Sequence, residues 1–367
     1  MSKEMIPAGH AISIIVLFIM GTSIFMGISG QSGNSDWIAL LLAMLLVVPV
    51  LLMYARLHIL LPGKNLYDML IAVFGKVPGR ILSCLYIWYA FHLGALIIRN
   101  FGEFCETVTL TQTPMLVPML CQGLLCVWVV KAGIEVMGRT AKLLLLFAIF
   151  VNVTIFLLAI PKMEPHHLFP LMDRGWGVIF SNSMSIFSFP FAEIVIFLGA
   201  YNSLSAKRSM RKILLYSLLL SGVMILAATM RNLLMLGPEV LSSLYFPSYV
   251  AAGRINIGDF LTRIEASSAV SFVITTFIKA SLCLYVASSG VAKVFNLKSY
   301  RSVVLQMGLI MIYFADFLYK DIIEMHHFST HIYKVYAFPF QVIIPLILWI
   351  GAEIMVSKSK HKQAAAQ

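Results

Sequence analysis

The chain has 367 residues, 60% of them apolar and 12% charged, with a formal net charge of +11 and a mean hydropathy of +0.90. Soluble domains carry about twice that share of charge. The composition therefore excludes a cytosolic enzyme, a nucleic-acid binder with a solvated basic face and a disordered chain, and suits roughly ten membrane spans of ~20 residues.

Near-continuous apolar runs predict spans over 10–29, 37–59, 81–101, 114–130, 140–160, 178–200, 213–236, 266–288, 302–318 and 336–355. The runs are unbroken rather than alternating, so each is a helix and not a barrel strand. The first run is read as a retained span, because nine more follow it and no small-residue cleavage site ends it. Of the 27 basic residues, 18 fall in one alternate set of connections and 8 in the other, with Lys279 inside a helix. Lys207, Arg208, Arg211 and Lys212 are the densest group of the first set. The positive-inside rule then predicts that both termini are cytoplasmic. Cys84, Cys121, Cys126 and Cys283 lie in apolar runs and are expected to be buried small hydrophobes, not disulfides or metal ligands.

Ten spans divide into a first five-helix repeat (1–160), an extracytoplasmic connection (161–175), a second five-helix repeat (176–357) and a basic cytoplasmic tail (358–367). An odd number of helices per half makes the second half enter the membrane from the opposite side. In each half the longest loop follows the second helix, over 61–79 and 237–262, and in each half the first helix is interrupted. The first span holds Gly21-Thr22-Ser23 with Gly27 beyond; the sixth holds Ser185 to Pro190, then Glu193. Matching interruptions point to an inverted-repeat transporter architecture with a ligand site at mid-membrane. An unwound turn frees backbone N–H and C=O groups, which lipid tolerates only where ligand, ion, water or protein satisfies them.

Two charges lie deep in apolar sequence. Glu193 is followed by Ile194 to Phe197, and Lys279 sits within Ile274 to Ser281. Each must face the bundle interior or a wet cavity. Glu193 suits binding of an amine or a proton exchange, and Lys279 suits the place of a coupling ion, a pair with Glu193 or a pair with a ligand carboxylate. Arg99, Glu103 and Glu106 follow helical spacing at the end of the third span and read as an exposed, salt-bridged helix end. His326, His327 and His331 offer metal-capable spacing in an exposed loop without a supporting acidic pattern, so no metal is expected there. No phosphate loop, dinucleotide fingerprint or hydrolase elbow occurs in a usable context, and neither enzyme chemistry nor a cofactor is expected.

The stretches Gly21-Thr22-Ser23-Ile24-Phe25, Phe189-Pro190-Phe191-Ala192-Glu193, Ile255 to Glu265 with Asn256-Ile257-Gly258-Asp259 at its head, and Phe277-Ile278-Lys279 leading to Ser289-Gly290-Val291-Ala292-Lys293 resemble the permease-like B subunit of bacterial spore germinant receptors. The likeness runs over essentially the whole chain, and the 256–265 block is its most specific part. That family is similar in turn to the amino acid–polyamine–organocation transporters with the leucine-transporter fold. The resemblance implies an all-α integral membrane protein of the spore inner membrane, with broken first and sixth helices. It implies nutrient sensing beside an A subunit and a C lipoprotein subunit, with a small nutrient as ligand. By position, Gly21, Thr22, Ser23, Ile24, Phe187, Ser188, Phe189, Pro190, Glu193, Thr276 and Lys279 would form the germinant pocket. Gly21-Thr22-Ser23 stands where amino-acid permeases of this fold commonly carry Gly-x-Gly, so a sugar stays open alongside an amino acid. A proton-coupled transporter of amino acids or related amines is the other reading. A channel would need a polar pore-lining ring, which the spans do not supply.

Overall fold

The computed structural model describes residues 4–27, 32–204, 210–255 and 263–364. Lys207, Arg208 and the 256–262 stretch lie outside the described residues. The ten membrane-crossing segments are α1 (Ala8–Met26), α2 (Gly33–Leu60), α3 (Lys76–Thr109), α4 (Leu116–Ala132), α5 (Ile134–Lys162), α6 (Gly175–Ser203), α7 (Met210–Leu236), α8 (Ile264–Val294), α9 (Val304–Phe317) and α10 (Ile322–Lys358). Eight are long and apolar enough to cross a bilayer outright, while α4 and α9 are shorter apolar helices. The protein is an integral membrane protein of all-helical fold. Its two sets of five, α1–α5 and α6–α10, each open on a broken helix.

The long connections of the two halves are themselves helical in part. Leu66–Phe74 lies between α2 and α3, and Pro238–Ser243 and Pro247–Gly253 follow α7. Asn65 starts the first of these by accepting the Asp68 N–H at 2.9 Å, a side-chain cap for an otherwise orphaned donor.

Burial sorts the helices. The most apolar windows of α6 and α8 are 83% and 78% buried, whereas those of α5 and α10 are 28% buried. The outer helices therefore present apolar side chains outward: Leu143, Leu146, Phe150, Val153 and Leu157 form one exposed stripe along α5. Such a stripe would drive association in water and is at home in hydrocarbon. Inside, α1 packs on α5, α7 and α8, α2 packs on α6, α7 and α10, and α8 runs between α1, α3, α4 and α5. This arrangement sets the two broken helices, α1 and α6, beside the central α8.

Three expectations change. Helix α10 starts at Ile322, not near 336; Asp321 caps it by accepting the Glu324 N–H at 2.9 Å, and its first turns place Met325, His326 and Thr330 on the cavity described below. Arg99 and Glu103 are buried, not exposed: the guanidinium reaches Glu103 Oε1 at 2.7 Å and donates to Asp316 O at 2.6 Å. That bond ties α3 to the end of α9 and gives both charges partners away from lipid. All five cysteines are free, with Cys105, Cys126 and Cys283 buried but Cys84 and Cys121 exposed, because α3 and α4 turn those faces outward.

Candidate functional site

Helix α1 stops at Met20 and resumes at Ser23. Gly21 has φ +24°, a conformation that a Cβ penalises. A Cβ there would also clash with Lys279 Cδ and lie 2.8 Å from Phe18 O. Glycine is thus required both by the turn and by the lysine packed across it. The freed carbonyls find side-chain donors: Ser23 Oγ donates to Ile19 O and Met20 O at 2.9 Å, Thr275 Oγ1 to Gly21 O at 2.7 Å, and Ser248 Oγ to Ile24 O at 2.6 Å. Thr22 Oγ1 is buried with no hydrogen-bond partner among the described residues.

Helix α6 breaks in the same way. It is helical over Gly175–Ile186, takes an extended residue at Phe189 (φ −134°, ψ 114°), and continues as a tight 3₁₀ stretch over Ala192–Ser203. Pro190 has no N–H to continue the ladder. Gln341 of α10 donates to the freed Ser188 O at 2.8 Å and to Tyr89 Oη at 3.0 Å. The Tyr54 hydroxyl in turn donates to Gln341 O.

Between the breaks lies a fully buried ion pair. Lys279 Nζ of α8 is 2.5 Å from Glu193 Oε2. Tyr333 of α10 donates to Glu193 Oε1 at 2.5 Å, and its oxygen is 3.3 Å from the Tyr89 hydroxyl of α3. The ammonium also sits over the rings of Phe18 and Phe189, 5.2 and 4.8 Å from their centroids. Desolvating two charges costs several kcal/mol each, and only a close partner with further hydrogen bonds offsets this. Here one network joins α3, α6, α8 and α10. Replacing Tyr333 by phenylalanine removes a hydrogen bond to a buried carboxylate, with an expected loss of about 1.5–3 kcal/mol, measurable as a lower melting temperature of the detergent-purified protein.

The pair forms part of the wall of a cavity of about 90 Å³. Thr22, Phe189, Glu193, Lys279 and Tyr333 contribute at its deep end; Tyr245, His326 and Thr330 contribute towards the face opposite the termini. Leu93, Leu96 and Ile97 of α3 supply an apolar side. Gly21 lies against Lys279. Ser23 turns into the helix backbone, Ile24 and Phe187 are in the apolar core, Ser188 and Pro190 are buried at the break, and Thr276 accepts Gln122 Nε2 at 2.7 Å. Tyr333 and Gln341 carry the site from positions that sequence reading does not single out; an aromatic hydroxyl or amide in an apolar run gives no charge signal. His326, expected in an exposed loop, is instead half-buried on the cavity wall.

The face that carries the N-terminus is latched. Ile6 N–H donates to Ser203 O at 2.7 Å, and Met5 N–H to Glu135 Oε1 at 2.8 Å. Glu4 accepts Arg301 at 2.6 Å, Tyr300 at 3.1 Å and the Ile134 N–H at 3.2 Å. Burial, then the Glu4 charge, push the Tyr300 hydroxyl above its ordinary range. Residues 4–6 thereby hold the ends of α6, the α4–α5 turn and the α8–α9 turn together, beside a polar cavity of about 770 Å³.

Ten helices with two facing breaks around a mid-span cavity define a permease-like membrane protein, not an enzyme. The chain belongs to the spore germination protein family, which it matches over residues 5–324. It is similar to spore germination protein KB of Bacillus subtilis, 24% identical with 99% of this chain and 98% of that protein covered. It is likewise similar to spore germination protein A2 of the same organism, 23% identical over 93% of each. Among solved structures, MhsT in complex with L-phenylalanine has a TM-score of 0.69 at 13% identity, covering 96% of this chain and 100% of that one. A Na⁺-coupled sialic acid symporter has a TM-score of 0.64 at 13% identity, covering 93% and 80%. These likenesses establish the leucine-transporter fold.

Proposed function

We propose that this protein is the nutrient-sensing, permease-like subunit of a spore germinant receptor. In this reading it sits in the spore inner membrane with both termini in the cytoplasm, beside an A subunit and a C lipoprotein subunit. The observation that carries the reading is the cavity between the two broken helices, walled by Glu193 and Lys279, in a chain of the spore germination family. Its ligand is a small nutrient, an amino acid or a sugar. Of the eleven sequence-derived residues, Thr22, Phe189, Glu193 and Lys279 touch it directly. Gly21, Ser23, Ser188 and Pro190 set the backbone at the two breaks, Ile24 and Phe187 pack in the core beside them, and Thr276 holds Gln122. The unpartnered Thr22 hydroxyl and an ion pair that can re-pair with a zwitterion support recognition of a polar head, with Leu93 and Ile97 covering an apolar part. Ligand acts by binding one state of the bundle better than another, which is the only way it can shift the equilibrium.

The state of the bundle is set partly by the Glu4 latch. Arg301→Gln is expected to loosen it, so that a cysteine placed at Ser289 on the polar cavity reacts faster with an impermeant thiol reagent added from the cytoplasmic side. An unchanged rate would remove the latch from the account.

A transporter coupled to protons is the second reading, favoured by two titratable groups on the cavity wall and by solute-transporting neighbours of the same fold. Spores lacking the gene separate the two. Germination against a panel of amino acids, sugars and nucleosides is followed beside uptake of the same labelled compounds in growing cells. Loss of response to one nutrient class with uptake unchanged is expected; normal germination with lost uptake makes the protein a transporter.

A further inference from the structure

The connection between the two halves carries a cluster that the nutrient site does not use. Glu164, His166 and His167 each offer a ligand atom, and all such atoms lie within 4.8 Å of one another. Glu164 Oε2 lies 3.5 Å from His166 Nε2 and 4.0 Å from His167 Nε2. Ligands at about 2.1 Å from a shared zinc ion stand about 3.4 Å apart in a tetrahedron. The Glu164–His166 edge is already in place, the Glu164–His167 edge closes with a movement of roughly half an ångström, and the His166–His167 edge, at most 4.8 Å, closes by about 1.4 Å or less.

The cluster is held rather than loosely assembled. His167 Nδ1 is 3.0 Å from Leu234 O, so that nitrogen donates to the carbonyl and Nε2 is the one left for a metal. A carbonyl behind a histidine ligand is the usual support of a metal-binding imidazole. The same carbonyl accepts the Glu164 N–H at 2.9 Å. Pro165 begins a 3₁₀ turn over Pro165–Leu168, which brings two successive histidines onto one side, their rings 4.3 Å apart. Gly237 keeps the space beside the ring open: a Cβ there would lie 3.1 Å from His167 Nε2. The histidines at 327 and 331 differ. Their rings stack 4.9 Å apart, and His331 Nδ1 is engaged by Thr330 at 2.8 Å.

We propose that Glu164, His166 and His167 form a binding site for a divalent transition-metal cation, zinc by ligand type, with water completing the tetrahedron. All three ligands lie within residues 164–167, so the metal clamps the turn of the connection that Glu164 and His167 already bond to Leu234 O near the end of α7.

The test uses full-length protein purified in detergent through a histidine-free tag, titrated with zinc against a chromophoric chelator. One equivalent bound at micromolar or lower concentration is expected, with a rise in melting temperature. His166→Ala, whose side chain is 72% exposed, and Glu164→Gln are each expected to weaken binding tenfold or more while leaving the metal-free melting temperature unchanged. His327→Ala/His331→Ala is expected to bind as the parent does. Absence of binding by the parent, unchanged affinity in His166→Ala and Glu164→Gln, or loss confined to His327→Ala/His331→Ala overturns the assignment.

Discussion

Replacing Lys279 by methionine is expected to destabilise the protein by about 3–5 kcal/mol, since the Glu193 carboxylate is then left buried without its counter-ion. The partner is 2.5 Å away and both side chains are fully buried, so solvent cannot take over its role. Replacing both members together has a different result. Pairs of this kind exchange for neutral residues at little cost or with a gain of about 1–4 kcal/mol. Glu193→Gln/Lys279→Met is therefore expected to recover most of the melting temperature lost by Lys279→Met, since the amide oxygen that replaces the carboxylate can still accept the Tyr333 hydroxyl. Response to germinant stays lost in both, because the charged wall of the cavity is gone in both. A double variant as unstable as the single one would mean that the pair is required for folding; a double variant with normal dose–response would remove it from the nutrient site.

Gly21→Ala carries the second large effect. The residue sits at φ +24°, and holding a non-glycine there costs of order 1–3 kcal/mol. Its methyl group also meets Lys279 Cδ, and overpacking of a filled core adds about 1–3 kcal/mol. The lysine cannot retreat without lengthening its bond to Glu193. Gly21→Ala should thus both lower the melting temperature and blunt germinant response, while Gly9→Ala in the same helix, where a Cβ meets nothing within 4 Å, should change neither. Equal behaviour of the two variants would show that the break in α1 has no special geometry to protect.

Hydropathy alone makes most of the fold legible, because a bilayer leaves an apolar run few choices beyond a helix. The breaks in α1 and α6 are visible for a related reason: Gly21 and Pro190 are the residue types that stop a helix without side-chain help. Glu193 and Lys279 stand out since a charge in an apolar run must have a partner. Which partner is not legible; it depends on the crossing of α6 and α8, whose contact positions are 86 residues apart. Tyr333 and Gln341 escape notice because neutral polar groups barely alter the pattern of the run. The start of α10 is hidden because three histidines and a lysine mask a helix that a polar cavity wall makes tolerable. Arg231 lies inside the predicted 213–236 span but counts with a connection in the charge tally; it is buried near the end of α7, where Asn232 Oδ1 accepts its guanidinium at 2.7 Å and Asn232 itself donates to Ser248.

The most direct measurement is binding of a nutrient panel to the purified protein, read as the shift in melting temperature with ligand concentration. A ligand at a hundred times its dissociation constant stabilises its host by about 2.7 kcal/mol, a shift well above the noise of such scans. The account predicts saturable stabilisation by one class of amino acid or sugar, abolished by Glu193→Gln and weakened about tenfold by Thr22→Val, whose hydroxyl has no other partner among the described residues. Stabilisation that survives unchanged in both variants, or a parent protein that no nutrient stabilises although the spores respond to it, would contradict a nutrient site between the broken helices.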